Sequence, residues 1–258
     1  MNDPGLIRCK LPNNLEIFCI TEAEAAALYR EIFVQRCWLD GGIQLREGGV
    51  VVDAGANIGI SALFFHRQFP KLRFLCYEPA PQPFAALSRN VEEHGLDAIC
   101  RQVALGARPH LAIMTYYPQV TAMSGLYADP GREAGITRIY LQNCGFDKGD
   151  IDEIVPPEYV TAPIATEVRT LSAEIRDAGV DHIDLLKIDV EKSELDLLAG
   201  IDQPTWDLIR QVAVEVHDID GGLARVCADL ECQGFAVQSK QSPLLLGTEL
   251  YDVTGIRR

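Results

Sequence analysis

The 258 residues of the chain suffice for one large domain with a buried core. Hydrophobic residues make up 48% and charged residues 23%, the balance of a globular protein. Lys and Arg number 23 against 37 Asp and Glu; the net charge of −14 excludes the dense basic face that nucleic acid or an anionic membrane requires, and fits a small-molecule enzyme.

The first residues, MNDPGLIRCK, lack the apolar core of a signal peptide. No uncharged apolar stretch approaches the roughly 20 residues of a membrane span. The eight cysteines form no CxxC and no Cys/His set at zinc spacing, and several sit in apolar runs such as Phe74-Leu75-Cys76-Tyr77. Together these point to the reducing cytoplasm.

Residues 1–45 read as an N-terminal cap segment. Thr21 and Glu24 make a T-x-x-E capping box, and the pairs Leu28/Ile32 and Tyr29/Phe33 predict an amphipathic helix over 22–36. Its apolar face can pack on its own core or on a partner subunit, so a homodimer stays open. Residues 46–258 read as the main domain. Val50-Val51-Val52 is a strand ending at Asp53-Ala54-Gly55, followed by a helix over 58–68, a strand over 73–77 and a helix from Pro81. A third strand spans 99–105. Ile183–Val190 and Gln211–Val216 are two more, then a helix over 221–232 and a last strand over 249–256. Near-continuous apolar strands alternating with helices predict an α/β fold with a doubly wound, mostly parallel sheet. Residues 126–168 break the rhythm with Gly and Pro clusters and read as a substrate-covering insertion.

The turn after the first strand carries the most information. A dinucleotide-binding turn reads GxGxxG, its second glycine admitting a pyrophosphate. Here the order is Gly55-Ala56-Asn57-Ile58-Gly59, with Asn57 in that place and the acid Asp53 closing the strand. A carboxylate there repels phosphate and suits a ligand with a cationic end, such as S-adenosylmethionine. Glu78 ends the second strand, where a carboxylate accepts ribose hydroxyls.

The segments VVDAGANIGISALFF, CYEPAP, LLKIDVEKSELDLLAG and VAVEVH together closely resemble the FkbM-type S-adenosylmethionine-dependent methyltransferases, over about 50–125 and 168–235. The resemblance implies a class I, Rossmann-like methyltransferase domain with an antiparallel last strand. It implies Asp53, Gly55, Asn57 and Gly59 as the cofactor loop and Glu78 as the ribose-binding acid. It also implies a tailoring reaction, with a hydroxyl of a small natural product or sugar as acceptor. Lys192 stands where the family has glycine in K-I-D-V-E-G-x-E; it either tightens the turn or projects a cation to the rim of the site.

Strand alternation puts Lys187, Asp189 and Glu191 on one face, and Glu215 and His217 on one face of the next strand. Methyl transfer to oxygen needs an acceptor held in line and a group to take its proton. His217 is the candidate base, because an ordinary imidazole titrates near neutrality, with Asp189 orienting the acceptor and Lys187 beside it. The alternative pairs Asp189 with Lys187 and leaves His217 a hydrogen-bonded residue closing a strand. Asp189, Glu215 and His217 also suit a divalent cation, although the Lys187 charge lessens the need for a metal. Glu191, Glu215, Tyr117 and Ser124 are candidates to contact the acceptor; Tyr116, Met123 and Tyr127 either join them or belong to the core. His66, His94, His110 and His182 read as surface or structural. An N- or C-methyltransferase, or a cofactor-binding domain without turnover, stays as the competing reading.

Overall fold

A computed structural model describes residues 5–257. An N-terminal hairpin, β1 (Ile7–Lys10) and β2 (Glu16–Cys19), leads into α1 (Glu22–Tyr29). The first half of the domain is β3 (Val50–Ala54), α2 (Ile60–Gln68), β4 (Arg73–Tyr77), α3 (Pro81–His94) and β5 (Asp97–Arg101). Next come β6 (Ala104–Leu105), β7 (His110–Tyr116), α4 (Pro130–Asn143), α5 (Lys148–Ile154) and β8 (Ala162–Arg169). The second half runs α6 (Leu171–Ala178), β9 (Leu185–Ile188), α7 (Glu194–Ala199), α8 (Gln203–Trp206), β10 (Gln211–His217), α9 (Gly222–Cys232), β11 (Phe235–Lys240) and β12 (Leu250–Arg257).

Seven strands form the central sheet in the order β11-β12-β10-β9-β3-β4-β5. β12 runs antiparallel to both neighbours and the other pairings are parallel, as the resemblance implies. β3 is buried along its whole length, which is why it reads as a continuous apolar run. The connections leave β3 toward β4 on one side and reach β9 on the other, so the crevice at the carboxyl ends of β3 and β9 is the switch point where such sheets take ligands.

Three segments differ from the sequence reading. The helix expected over 22–36 is α-helical only to Tyr29, continues as a π turn over Arg30–Gln35 and stops at Arg36 in the left-handed region. Thr21 caps it by accepting the Glu24 N–H, but the Glu24 carboxylate does not complete the box. It turns inward to accept the Thr121 hydroxyl and the Ala122 N–H. The 126–168 insertion is largely regular: Asp129 and Asp147 cap α4 and α5, and β8 pairs with β7 and β6 in a three-stranded side sheet. β9 ends at Ile188: the Asp189 N–H still bonds to the Ala54 carbonyl, but residues 191 and 192 take left-handed backbone that cannot continue a strand.

The cap is not an appendage. Its Ile17, Ile32 and Trp38 share one hydrophobic core with Val51, Phe65 and Phe74, so the helix spends its apolar face on its own domain. The join runs through buried Asn90, whose side chain accepts the Phe18 N–H and donates to the carbonyls of Phe18 and Ile58. Among the described residues no helix is long and apolar enough to cross a membrane. Asn90→Ala orphans three backbone groups linking hairpin to core; urea unfolding is expected to show a loss of about 3 kcal/mol.

Candidate functional site

The β3 turn is built by backbone crowding. Gly55 has φ 77, and a Cβ there would lie 1.7 Å from the Asp189 carbonyl oxygen, so only glycine lets β9 end beside β3. The N–H groups of Gly55 and Ala56 both donate to the Tyr77 carbonyl at 3.0 Å, tying the loop to β4. Asn57 also takes left-handed backbone, at φ 47. Its N–H donates to Glu78 Oε2 at 2.9 Å and its side-chain amide donates to the Thr121 hydroxyl at 3.2 Å. Glu78 Oε1 accepts the Ala80 N–H at 2.8 Å. Burial raises the Glu78 carboxyl to about 7, although the two N–H donors pull it back toward the ionised form.

These residues open onto a cleft. Gly55, Asn57, Glu78, Ser124, Asp189 and Glu191 all line it. Glu24, bound to Thr121 and Ala122, closes the cap over it. The Ser193 hydroxyl, on the same wall, is buried without a hydrogen-bond partner.

Several expected site residues lie elsewhere. Asp53 is fully buried beneath the cleft, paired with Lys187 Nζ at 2.9 Å and hydrogen-bonded by the Ser61 hydroxyl, so it offers nothing to a cationic ligand. Lys187 is equally committed: its ammonium donates to the Gly55 carbonyl at 2.7 Å, pairs with Asp189 at 3.3 Å and lies 4.9 Å from the Trp38 ring. Burial would lower its pKa, but Asp53 and Asp189 override that and raise it, so Lys187 stays charged and holds the loop. Gly59 begins α2 against Leu87. Tyr117 is fully buried outside the cleft, with its ring edge-on to Tyr159; its N–H donates to the Ser124 hydroxyl.

His217 lies between two carboxylates. Its Nε2 lies 3.4 Å from Glu191 and its Nδ1 3.1 Å from Glu194. Burial pulls its pKa down, yet the two carboxylates outweigh that and raise it to about 11. A doubly paired imidazolium has no lone pair to take a proton at neutral pH. The alternative pairing of Asp189 with Lys187 is the one the geometry adopts.

The acids gather instead. Oxygens of Asp189, Glu191 and Glu215 lie within 4.8 Å of one another, so Glu191 takes the place expected for His217 in a cation-binding set. Burial raises the pKa of all three; for Glu215, next to Asp189, the rise is large. The π turn adds Glu31, raised to about 7 by burial and by the Asp189 charge. Lys192 neither tightens the turn alone nor reaches the rim: it forms a buried ion pair with Glu133 of α4. Gly55→Ala must displace backbone, and a loss of about 3 kcal/mol or more is expected in urea unfolding, with the cleft lost first.

Residues 53–235 match the family described as the methyltransferase FkbM domain. The chain is 42% identical over 96% of both chains to the 31-O-demethyl-FK506 methyltransferase FkbM of Streptomyces tacrolimicus. It is 32% identical over 99% of its length to the AMB antimetabolite synthetase AmbE of Pseudomonas aeruginosa, spanning 13% of that protein. A crystal structure of a methyltransferase FkbM from Methylobacillus flagellatus superposes with a TM-score of 0.54 at 14% identity, covering 84% of this chain and 45% of that one. With a central sheet ordered for a ligand at the β3–β9 crevice and a family match across its core, the chain belongs to the FkbM methyltransferase family.

Proposed function

We propose that the protein transfers a methyl group from S-adenosylmethionine to a hydroxyl oxygen of a small natural-product or sugar-type acceptor. The observation that carries this reading is one cleft lined by both a ribose-type acid, Glu78, and a second, half-buried carboxylate, Asp189. Each Glu78 oxygen takes one backbone N–H and keeps a lone pair for a ribose hydroxyl. The unpartnered Ser193 hydroxyl is a further donor on the wall. The acidic end would repel a pyrophosphate, which argues against a dinucleotide. Bound in this cleft, S-adenosylmethionine supplies an electrophilic methyl group on a sulfonium. The relative named for 31-O-demethyl-FK506 supports oxygen as the acceptor atom.

Lys187 fixes both the loop through the Gly55 carbonyl and the position of Asp189. Asp189, raised toward neutrality by burial, takes the proton from the acceptor hydroxyl, and Glu215 beside it shares that proton. His217 lies between Glu191 and Glu194, and its charge draws the Glu191 carboxyl back toward the ionised form against its burial. Glu191 and Ser124, on the cleft wall, contact the acceptor. A divalent cation on Asp189, Glu191 and Glu215 is the second reading, carried by the closeness of those three carboxylates.

Ribose hydroxyls bond best to the ionised Glu78, so affinity for S-adenosylhomocysteine is expected to weaken as pH falls through about 7. Titration calorimetry between pH 6 and 8 should show that dependence, and Glu78→Gln should weaken binding and flatten it. In a screen of hydroxylated acceptors, Asp189→Asn is expected to lower kcat by about 10²-fold or more. His217→Asn should lose about tenfold and keep the rising limb of the pH–rate profile. Loss of that limb in His217→Asn would restore histidine as base. Turnover lost with a chelator and regained with Mg²⁺ would favour the cation reading. Turnover with amine acceptors alone would favour N-methylation, and cofactor binding without any turnover a binding domain.

A further inference from the structure

We propose that Lys192 and Glu133 are a positioning pair that holds the Glu191 carboxylate at the acidic end of the cleft, and that this end distinguishes the cationic cofactor from its neutral thioether product. The inference rests on the cofactor assignment above. Glu191 and Lys192 are consecutive non-glycine residues at φ 48 and 72. Left-handed backbone at two side chains in a row persists only where surrounding contacts impose it.

Those contacts are specific. The Lys192 ammonium is buried and paired with Glu133 of α4, itself 2% exposed. The Lys192 N–H donates to Glu194 Oε1 at 2.8 Å. From the insertion side, a Cβ on Gly125 would lie 2.8 Å from the Glu191 carbonyl oxygen and 2.9 Å from its Cβ. The start of the insertion therefore rests on Glu191 itself, and the ion pair clamps the next residue to α4. A buried Lys–Glu pair gains little stability over its desolvation cost, but it is an effective device for fixing register.

The Glu191 side chain is what the clamp places. It lines the cleft and brings an oxygen within 4.8 Å of those of Asp189 and Glu215. In this proposal the sulfur, which is one carbon beyond the sugar ring, sits beside Glu191. A carboxylate there favours a sulfonium over a neutral thioether.

Titration calorimetry of the full chain with S-adenosylmethionine and with S-adenosylhomocysteine tests this on Lys192→Met, Glu133→Gln, their double variant and Lys192→Arg. Each single substitution is expected to weaken S-adenosylmethionine about fivefold and S-adenosylhomocysteine by less than about twofold. The double variant should be no worse than either single, and Lys192→Arg, which keeps the charge, should retain the native ratio. Parallel weakening of both ligands, or an unchanged ratio, overturns the inference. If Lys192→Met fails to fold, Glu133→Gln decides it alone. If the unaltered protein binds neither ligand, it is the cofactor assignment that fails.

Discussion

One buried ammonium organises the site. Lys187 of β9 has anions on both sides, Asp53 at 2.9 Å and Asp189 at 3.3 Å, with the Gly55 carbonyl at 2.7 Å and the Trp38 ring at 4.9 Å. An unpaired cation in such a place would be prohibitively costly, and each partner comes from a different part of the chain: β3, the end of β9, the loop after β3 and the N-terminal cap. The first strand, the loop after it and the Asp189 carboxylate are therefore positioned by a single charge that the cleft itself never exposes. The acid that reads in sequence as a cofactor ligand, Asp53, is the counter-ion that makes this charge tolerable.

Carboxyl groups dominate the cleft and its surroundings. Glu78 is moved up by burial and held by two backbone N–H groups. Asp189, Glu191 and Glu215 form a separate cluster, with Glu31 of the cap close enough to feel the Asp189 charge. Lys187 and His217 are the buried cations set among these acids, and both are spent on carboxylates. A part of the chain's excess of acids over bases thus lies in and around the cleft rather than on a solvated surface.

Legibility followed periodicity and backbone demand. The parallel strands could be read because burial on both faces leaves unbroken apolar runs; β12 was legible as a strand in the tail, and its antiparallel sense came from the family resemblance. Glu78 and the glycine at 55 were legible because a strand end and a left-handed turn admit few residue types. The hairpin β1–β2 and the side sheet were not legible, since β7 alternates exposed Leu111 and Ile113 with a buried Met114, the reverse of an ordinary polar outer face. Lys187 and His217 were visible as residues but not as roles. Strand alternation gives the face of a side chain, whereas its protonation depends on partners such as Glu194, which a tight turn folds back from further along the chain. Glu133 and Lys192 lie 59 residues apart, and nothing local announces their meeting.

The shared core of the cap has a consequence for how this unit can be moved between polypeptides. The relative in Pseudomonas aeruginosa carries a segment matching 99% of this chain within a far longer protein. A transplant cut at residue 46, where the pattern of alternating strands and helices begins, would strip Ile17, Ile32 and Trp38 from the interior and leave Asn90 facing water. It would also remove Glu24 from above the cleft and the aromatic ring beside Lys187. The smallest portable cassette therefore starts ahead of β1, and a chimera that respects the Rossmann-like boundary alone would inherit the sheet without a closed binding site.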